Sequence, residues 1–344
     1  MPARAADVTC LTYRPRHQGH PASRHERVEL IPRLPHCGRM DRVRRFIFER
    51  QPVRGHWVRL ESAWRDLRAH GHYPESVERL LGEAVAAVVL LAASLKFHGT
   101  LTFQLQGNGA VRLLVAQCTH DFRLRALARF DQQAIAALPA DAPRGPLFRT
   151  LVGAGGRLTV TIEADEKGAR YQGVVPLEGG SLAESLEAYF ATSEQLPTRV
   201  VLAADSTRGA GLLVQKLPGA GGVAEEESNA AWQGAQRGIE RLGEAQLLGH
   251  PMEELLARGF SDHDLRIFRG SPVHFECRCG EGRVAGLLRA LGEEEVRDVL
   301  REQGSVTVTC EFCRRPYRFD AADVDALFSS GAGSGTLLGP REIH

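Results

Sequence analysis

The chain has 344 residues, 43% of them hydrophobic and 25% charged, and a formal net charge of +1. That composition is globular, and the length implies two domains or more. A balance so close to neutral gives no electrostatic footprint for a polyanion or a membrane surface, so neither nucleic acid nor membrane is an expected partner.

Residues 1–39 carry Pro2, Pro15, Pro21, Pro32 and Pro35, several Arg and four His, with no helical or strand period. Disorder is expected there. The segment holds no apolar core of a secretory leader. Met40 is the expected true start, which makes 1–39 an upstream-start artefact; a genuine basic tail is the rival reading. Cys10 and Cys37 lie in this segment and are assigned no role.

Residues 42–49 form the first structured stretch. Residues 74–95 read as a strong helix: Val77, Leu80, Leu81, Ala84, Val85, Val88, Leu91, Ala92 and Leu95 recur at helical spacing. Its second half is apolar nearly all round, which predicts central burial. The apolar run within it, residues 84–93, is too short to span a bilayer. The period then changes to two. Residues 102–106 alternate, Gly107-Asn108-Gly109 signals a turn and residues 111–115 follow, a hairpin pattern. Residues 122–130 add another strand, and 157–163 with 170–177 a further hairpin. Gly153-Ala154-Gly155-Gly156 is too short for a phosphate loop and reads as a turn. A short helix is predicted over 182–190, and strands over 199–204 and 211–216.

These elements make residues 40–222 one α+β domain of sheet strands around a buried helix. There is no internal repeat and no alternating βα pattern. Gly219 to Gly222 break the chain. Beyond them Trp232, Ala235, Ile239 and Leu242 mark an amphipathic helix, and Met252, Leu255 and Leu256 a second short one. Residues 223–270 are therefore a helical linker, too small for a core of its own and dependent on a neighbour. Residues 271–330 hold the remaining cysteine pairs, with a helix expected over 292–302 and strands over 306–309 and 317–319. Residues 331–344 are rich in Gly and Ser and are expected to be a flexible tail.

The chemistry lies in Cys277-Arg278-Cys279 and, thirty residues on, Cys310-Glu311-Phe312-Cys313. Two close thiol pairs in a chain otherwise poor in cysteine suit one tetrahedral zinc ion held by Cys277, Cys279, Cys310 and Cys313. In a cytoplasmic setting, the expected location, such cysteines read as metal-binding or redox-active. His274 is an ordinary surface residue on this reading, since four cysteines leave no vacancy. Cys118, in a predicted strand, reads as a buried structural thiol. The cysteine domain has little core, so metal binding should supply much of its folding free energy, about 10–16 kcal/mol in small zinc peptides. A Cys-x-Cys disulfide closes a tight ring, and strained disulfides are the reducible ones. Both features point to a redox switch rather than a permanent staple.

With these residues assembled, the chain resembles the redox-regulated heat-shock chaperone family, the 33-kDa chaperonin, over about residues 40–325. The likeness is carried by Leu95-Lys96-Phe97-His98-Gly99, Phe103-Gln104-Leu105-Gln106-Gly107, Arg170-Tyr171-Gln172-Gly173-Val174-Val175, Ser193-Glu194-Gln195-Leu196-Pro197-Thr198-Arg199 and the two cysteine arms. It implies an ATP-independent holdase, not an enzyme, inactive when reduced and zinc-bound. It further implies that peroxide or hypochlorous acid forms the disulfides Cys277–Cys279 and Cys310–Cys313, with loss of zinc. Switch domain and linker then unfold and expose apolar surface to unfolding client proteins, usually in a homodimer. Two features depart from the family: the extra residues before Met40, and a linker less charged and richer in Ala and Gly.

Two other functions compete. A zinc ribbon binding nucleic acid should be basic, yet residues 271–330 hold eight Arg, no Lys and eleven acidic residues. A thiol–disulfide oxidoreductase would place Cys310-x-x-Cys313 at a helix start in a βαβ setting, and no such pattern surrounds it. Walker, dinucleotide and His-Glu-x-x-His motifs are absent from the sequence.

Overall fold

The computed structural model describes residues 11–13, 41–139, 143–164, 170–177, 179–218 and 224–329. The chain divides into two compact units between Glu276 and Cys277. The glycine break at 219–222 and the tail at 331–344 lie outside the described residues.

The first unit opens with strands β1 (Leu11–Tyr13), β2 (Arg42–Phe48) and β3 (Val53–Leu60), followed by helices α1 (Ser62–Arg68) and α2 (Glu75–Ser94). Strands β4 (Gly99–Gln106), β5 (Val111–Thr119) and β6 (Arg123–Phe130) come next, then helices α3 (Gln132–Ala136) and α4 (Arg144–Val152). β7 (Arg157–Ala164), β8 (Arg170–Pro176), α5 (Leu182–Thr192), β9 (Thr198–Ala204) and β10 (Gly209–Lys216) complete the domain proper. The linker supplies α6 (Glu225–Glu240), α7 (Glu244–Gly249) and α8 (Met252–Gly259), and then the short strands β11 (Leu265–Ile267), β12 (Ser271–Pro272) and β13 (His274–Phe275) follow.

Two sheets result. One has the order β1-β11-β2-β3-β10-β9, with β12 also on β2; the other runs β13-β6-β5-β4-β7-β8. Every pairing is antiparallel except β13 on β6. α2 packs against strands of both, with thirteen of its twenty residues buried. This is the central helix that the apolar period predicts. No helix among the described residues is long and apolar enough to cross a membrane.

The first sheet is covered on both faces, and its pleat shows how. Leu213 and Val58 join the core around α2, while their neighbours Leu212, Val214 and Trp57 face a second core. That second core is completed by Trp232, Ala235 and Ile239 of α6, Leu247 of α7, Leu255 and Leu256 of α8, and Phe260. The linker thus packs its apolar stripe on the first sheet, as an amphipathic segment without its own core must.

Some expectations are corrected. Within the segment expected to be disordered, Leu11–Tyr13 forms a strand on β11; Leu-Thr-Tyr is a strand-forming triplet, and β11 offers it an open edge. β3 and α1 were not expected. The carboxylate of Asp41 accepts from the backbone N–H groups of Glu61, Ser62 and Ala63, which caps the start of α1 from twenty residues upstream. Residues 271–275 pair into the sheets of the first unit as β12 and β13.

The second unit contains α9 (Glu281–Leu291), α10 (Glu293–Gln303), β14 (Val306–Thr309), β15 (Pro316–Phe319) and α11 (Ala321–Ser329). The single helix expected over 292–302 is the second of two, split at Gly292, whose φ of 112° no L-residue tolerates well. β14 and β15 pair antiparallel. The core is small: Val284, Leu288, Val296, Val306, Tyr317, Phe319, Val324 and Leu327.

Candidate metal centre

The first cysteine arm, Cys277 and Cys279, lies in extended chain between β13 and α9. The second, Cys310 and Cys313, lies in the turn joining β14 to β15. That turn is closed by two backbone hydrogen bonds, Cys310 N–H to Arg315 O at 2.9 Å and Arg314 N–H to Cys310 O at 2.8 Å. Arg314 takes a positive φ of 56° to complete it. Such a turn aims both thiols to one side. It is not a helix start, so the setting that a dithiol oxidoreductase needs does not surround Cys310 and Cys313.

All four sulfurs lie within 4.8 Å of one another. Cys277 Sγ is 3.6 Å from Cys310 Sγ, and Cys279 Sγ is 3.3 Å from Cys313 Sγ. Zinc–thiolate bonds of about 2.3 Å in a tetrahedron put sulfurs roughly 3.8 Å apart. The cluster is close to that spacing, so the donor set fits a tetrahedral thiophilic ion such as zinc. All four cysteines are half-buried and none is in a disulfide, and Cys279 and Cys310 pack against the small core.

The four sulfurs are not equivalent. Burial would raise the Cys279 thiol, but hydrogen bonds from Tyr317 and the neighbouring thiols outweigh it and bring its pKa down to about 7. Burial pushes Cys313 up to about 12, and the hydrogen bonds it gives to neighbouring sulfurs add to this. Cys277 is raised as well, burial being the largest cause. The thiolate is the form that binds metal. Cys279 is therefore readier to ligate at neutral pH than Cys277 or Cys313, and its charge is held by the Tyr317 hydroxyl at 3.0 Å.

The sequence located all four thiols and missed Tyr317, which it read only as part of a strand. His274 is exposed on β13, and Cys118 is fully buried in β5, as expected of each. Cys10 and Cys37 lie outside the described residues.

Comparison with known proteins places this geometry in context. The sequence profile of the Hsp33 protein family matches residues 41–320. The 33 kDa chaperonin of Nitrosococcus oceani is 42% identical over 289 residues, covering 84% of this chain and 94% of that protein. The 33 kDa chaperonin of Pseudomonas aeruginosa is 42% identical over 305 residues, covering 88% and 98%. The crystal structure of the 33 kDa chaperonin of Thermotoga maritima shares the fold, with a TM-score of 0.71 at 22% identity, over 84% of this chain and 98% of that one.

Proposed function

Because the chain belongs to the Hsp33 family of chaperones, we propose that it is a redox-gated holdase, switched by the four clustered thiols. The observation that carries the reading is the cluster itself, four sulfurs within 4.8 Å on a unit whose core is eight side chains. Cys277, Cys279, Cys310 and Cys313 would hold one zinc ion. Zinc, when bound, supplies folding free energy that so small a core lacks and keeps the sulfurs as thiolates.

Oxidation acts on the sulfurs. Each disulfide forms as two thiolates give up two electrons, either to one hypochlorous acid, which takes up a proton and becomes chloride and water, or to one hydrogen peroxide, which takes up two protons and becomes two waters. Cys277 pairs with Cys279 and Cys310 with Cys313, so two equivalents of oxidant remove every thiolate ligand. The cysteine unit then loses its order and the linker 223–270 leaves the first sheet. The surface uncovered is that of the second core, with Phe46, Phe48, Trp57, Leu212 and Val214 on the sheet side. Contiguous apolar surface of this kind is what an unfolding client can bind. The activity needs no ATP and no catalytic residue, is cytoplasmic, and belongs to a homodimer in the active form.

The test follows zinc, free thiols and client aggregation in parallel. Expected are one zinc per reduced chain, its loss with four thiols on hypochlorous acid treatment, disulfides mapped within each arm, and suppression of citrate synthase aggregation by the oxidised form alone. Equal suppression by both forms would sink the switch.

A further inference from the structure

α7 buries fewer side chains than its neighbours, although Leu247 and the partly buried Leu248 reach the second core. Of its six residues only Leu247 is buried, whereas α6 buries six residues and α8 four. The last carbonyls of a helix lack intrahelical donors and carry the negative end of its dipole. Around the end of α7, carbonyls meet two guanidinium groups of the core. Arg59, on β3, donates from Nη1 to His250 O at 3.1 Å and from Nη2 to Leu248 O. Arg208, just before β10, donates from Nη1 to Leu248 O at 2.8 Å. Glu61 lies 3.3 Å from Arg59 Nε and 3.9 Å from Arg208 Nη1, so one carboxylate faces both cations. Their side chains are only 16%, 26% and 25% exposed.

Three ion pairs that also tie the linker to the core are more open to solvent. Glu244 pairs with Arg144, Arg44 with Glu253 and Arg266 with Glu49, each through at least one well-exposed partner. Exposed pairs of that sort contribute little. Three core segments, β3, the β3–α1 junction and the β9–β10 turn, thus converge on the carboxyl end of α7.

We propose that Arg59, Arg208 and Glu61 form a clamp on the carboxyl end of α7 that sets how readily the linker leaves the sheet. This rests on the reading of 223–270 as the segment that comes away. The clamp holds by charge-assisted hydrogen bonds to backbone carbonyls, and its partly buried charges are screened little by salt.

The test is hydrogen exchange on the full-length, reduced, zinc-loaded protein, wild type against Arg208→Gln and Glu61→Gln. Amides of residues 244–259 are expected to exchange about tenfold faster in either variant, with β4 and β5 unchanged. Half-maximal suppression of client aggregation should then need less oxidant. Arg112→Gln, which removes a guanidinium bonded to the Asn108 carbonyl far from the linker, should leave 244–259 as in wild type. Unchanged exchange at 244–259 in both clamp variants overturns the proposal, as does an acceleration spread equally over β4 and β5. If the linker responds but no redox state protects a client, the clamp stands and the chaperone reading falls.

Discussion

Tyr317 donates its hydroxyl to Cys279 Sγ across thirty-eight positions of sequence. A hydrogen bond to a metal-bound thiolate is an outer-shell contact, and losing one typically costs ten- to a hundredfold in metal affinity. Tyr317→Phe keeps the ring in the small core and removes only the hydroxyl. Zinc affinity should fall about tenfold in a chelator competition assay; equal affinity would take Tyr317 out of the site. The pH dependence has a definite sign. Cys277 and Cys313 have raised pKa values and must each lose a proton on binding. Affinity should therefore fall as pH drops through the neutral range, with Cys279 adding to the fall only below about pH 7. At this scale the sequence exposed the four cysteines, since paired thiols are rare and their spacing is local. Tyr317, Arg59 and Arg208 were not legible, because each acts on a partner that only the fold brings near.

At the scale of elements, local periodicity decided what could be read. α2 was legible because its apolar residues hold their period over twenty positions. β3 was not: Val53-Arg54-Gly55-His56-Trp57-Val58-Arg59-Leu60 mixes Arg, His and Gly into a strand with both faces covered, so no clean alternation survives. β11, β12 and β13, of two or three residues, are defined by their partners alone. α2 also carries a constraint that its period hides. A Cβ on Gly82 would sit 2.4 Å from the Ala204 methyl and 3.1 Å from the Trp64 ring. Gly82→Ala should therefore destabilise the first unit by about 1–3 kcal/mol despite the better helix propensity of alanine. Urea denaturation followed by tryptophan fluorescence measures it, and an unchanged midpoint would mean that α2 can slide away from β9.

Across the whole molecule, the two units differ in what they bury. The first has two extended cores and the second only one of eight side chains. Zinc removal by a strong chelator should raise hydrogen exchange throughout residues 281–329 while β4, β5 and β7 keep their protection. Uniform protection in both units after chelation would show that the metal is dispensable for folding. The α+β character, the central helix and the helical linker could be read from patterning. The division after Glu276 could not, because residues 271–276 carry no period and belong with the first unit through pairing to β2 and β6.

The place of β11 within the first sheet has a consequence for how the linker can move. β10 precedes the linker and β11 follows it, and both are strands of one sheet, with β11 lying between β1 and β2. On the proposed mechanism, as long as β11 keeps its place, residues 217–264 would come free as a loop pinned at both ends, not as a dangling arm. A flexible chain of that length spans roughly 40 Å, and pinning keeps it above the face it has just left. Such a loop would compete with any client bound there at high effective concentration. Reduction of the thiols would then need no search by a distant tail: the linker would displace a client from the sheet by its own tethered return.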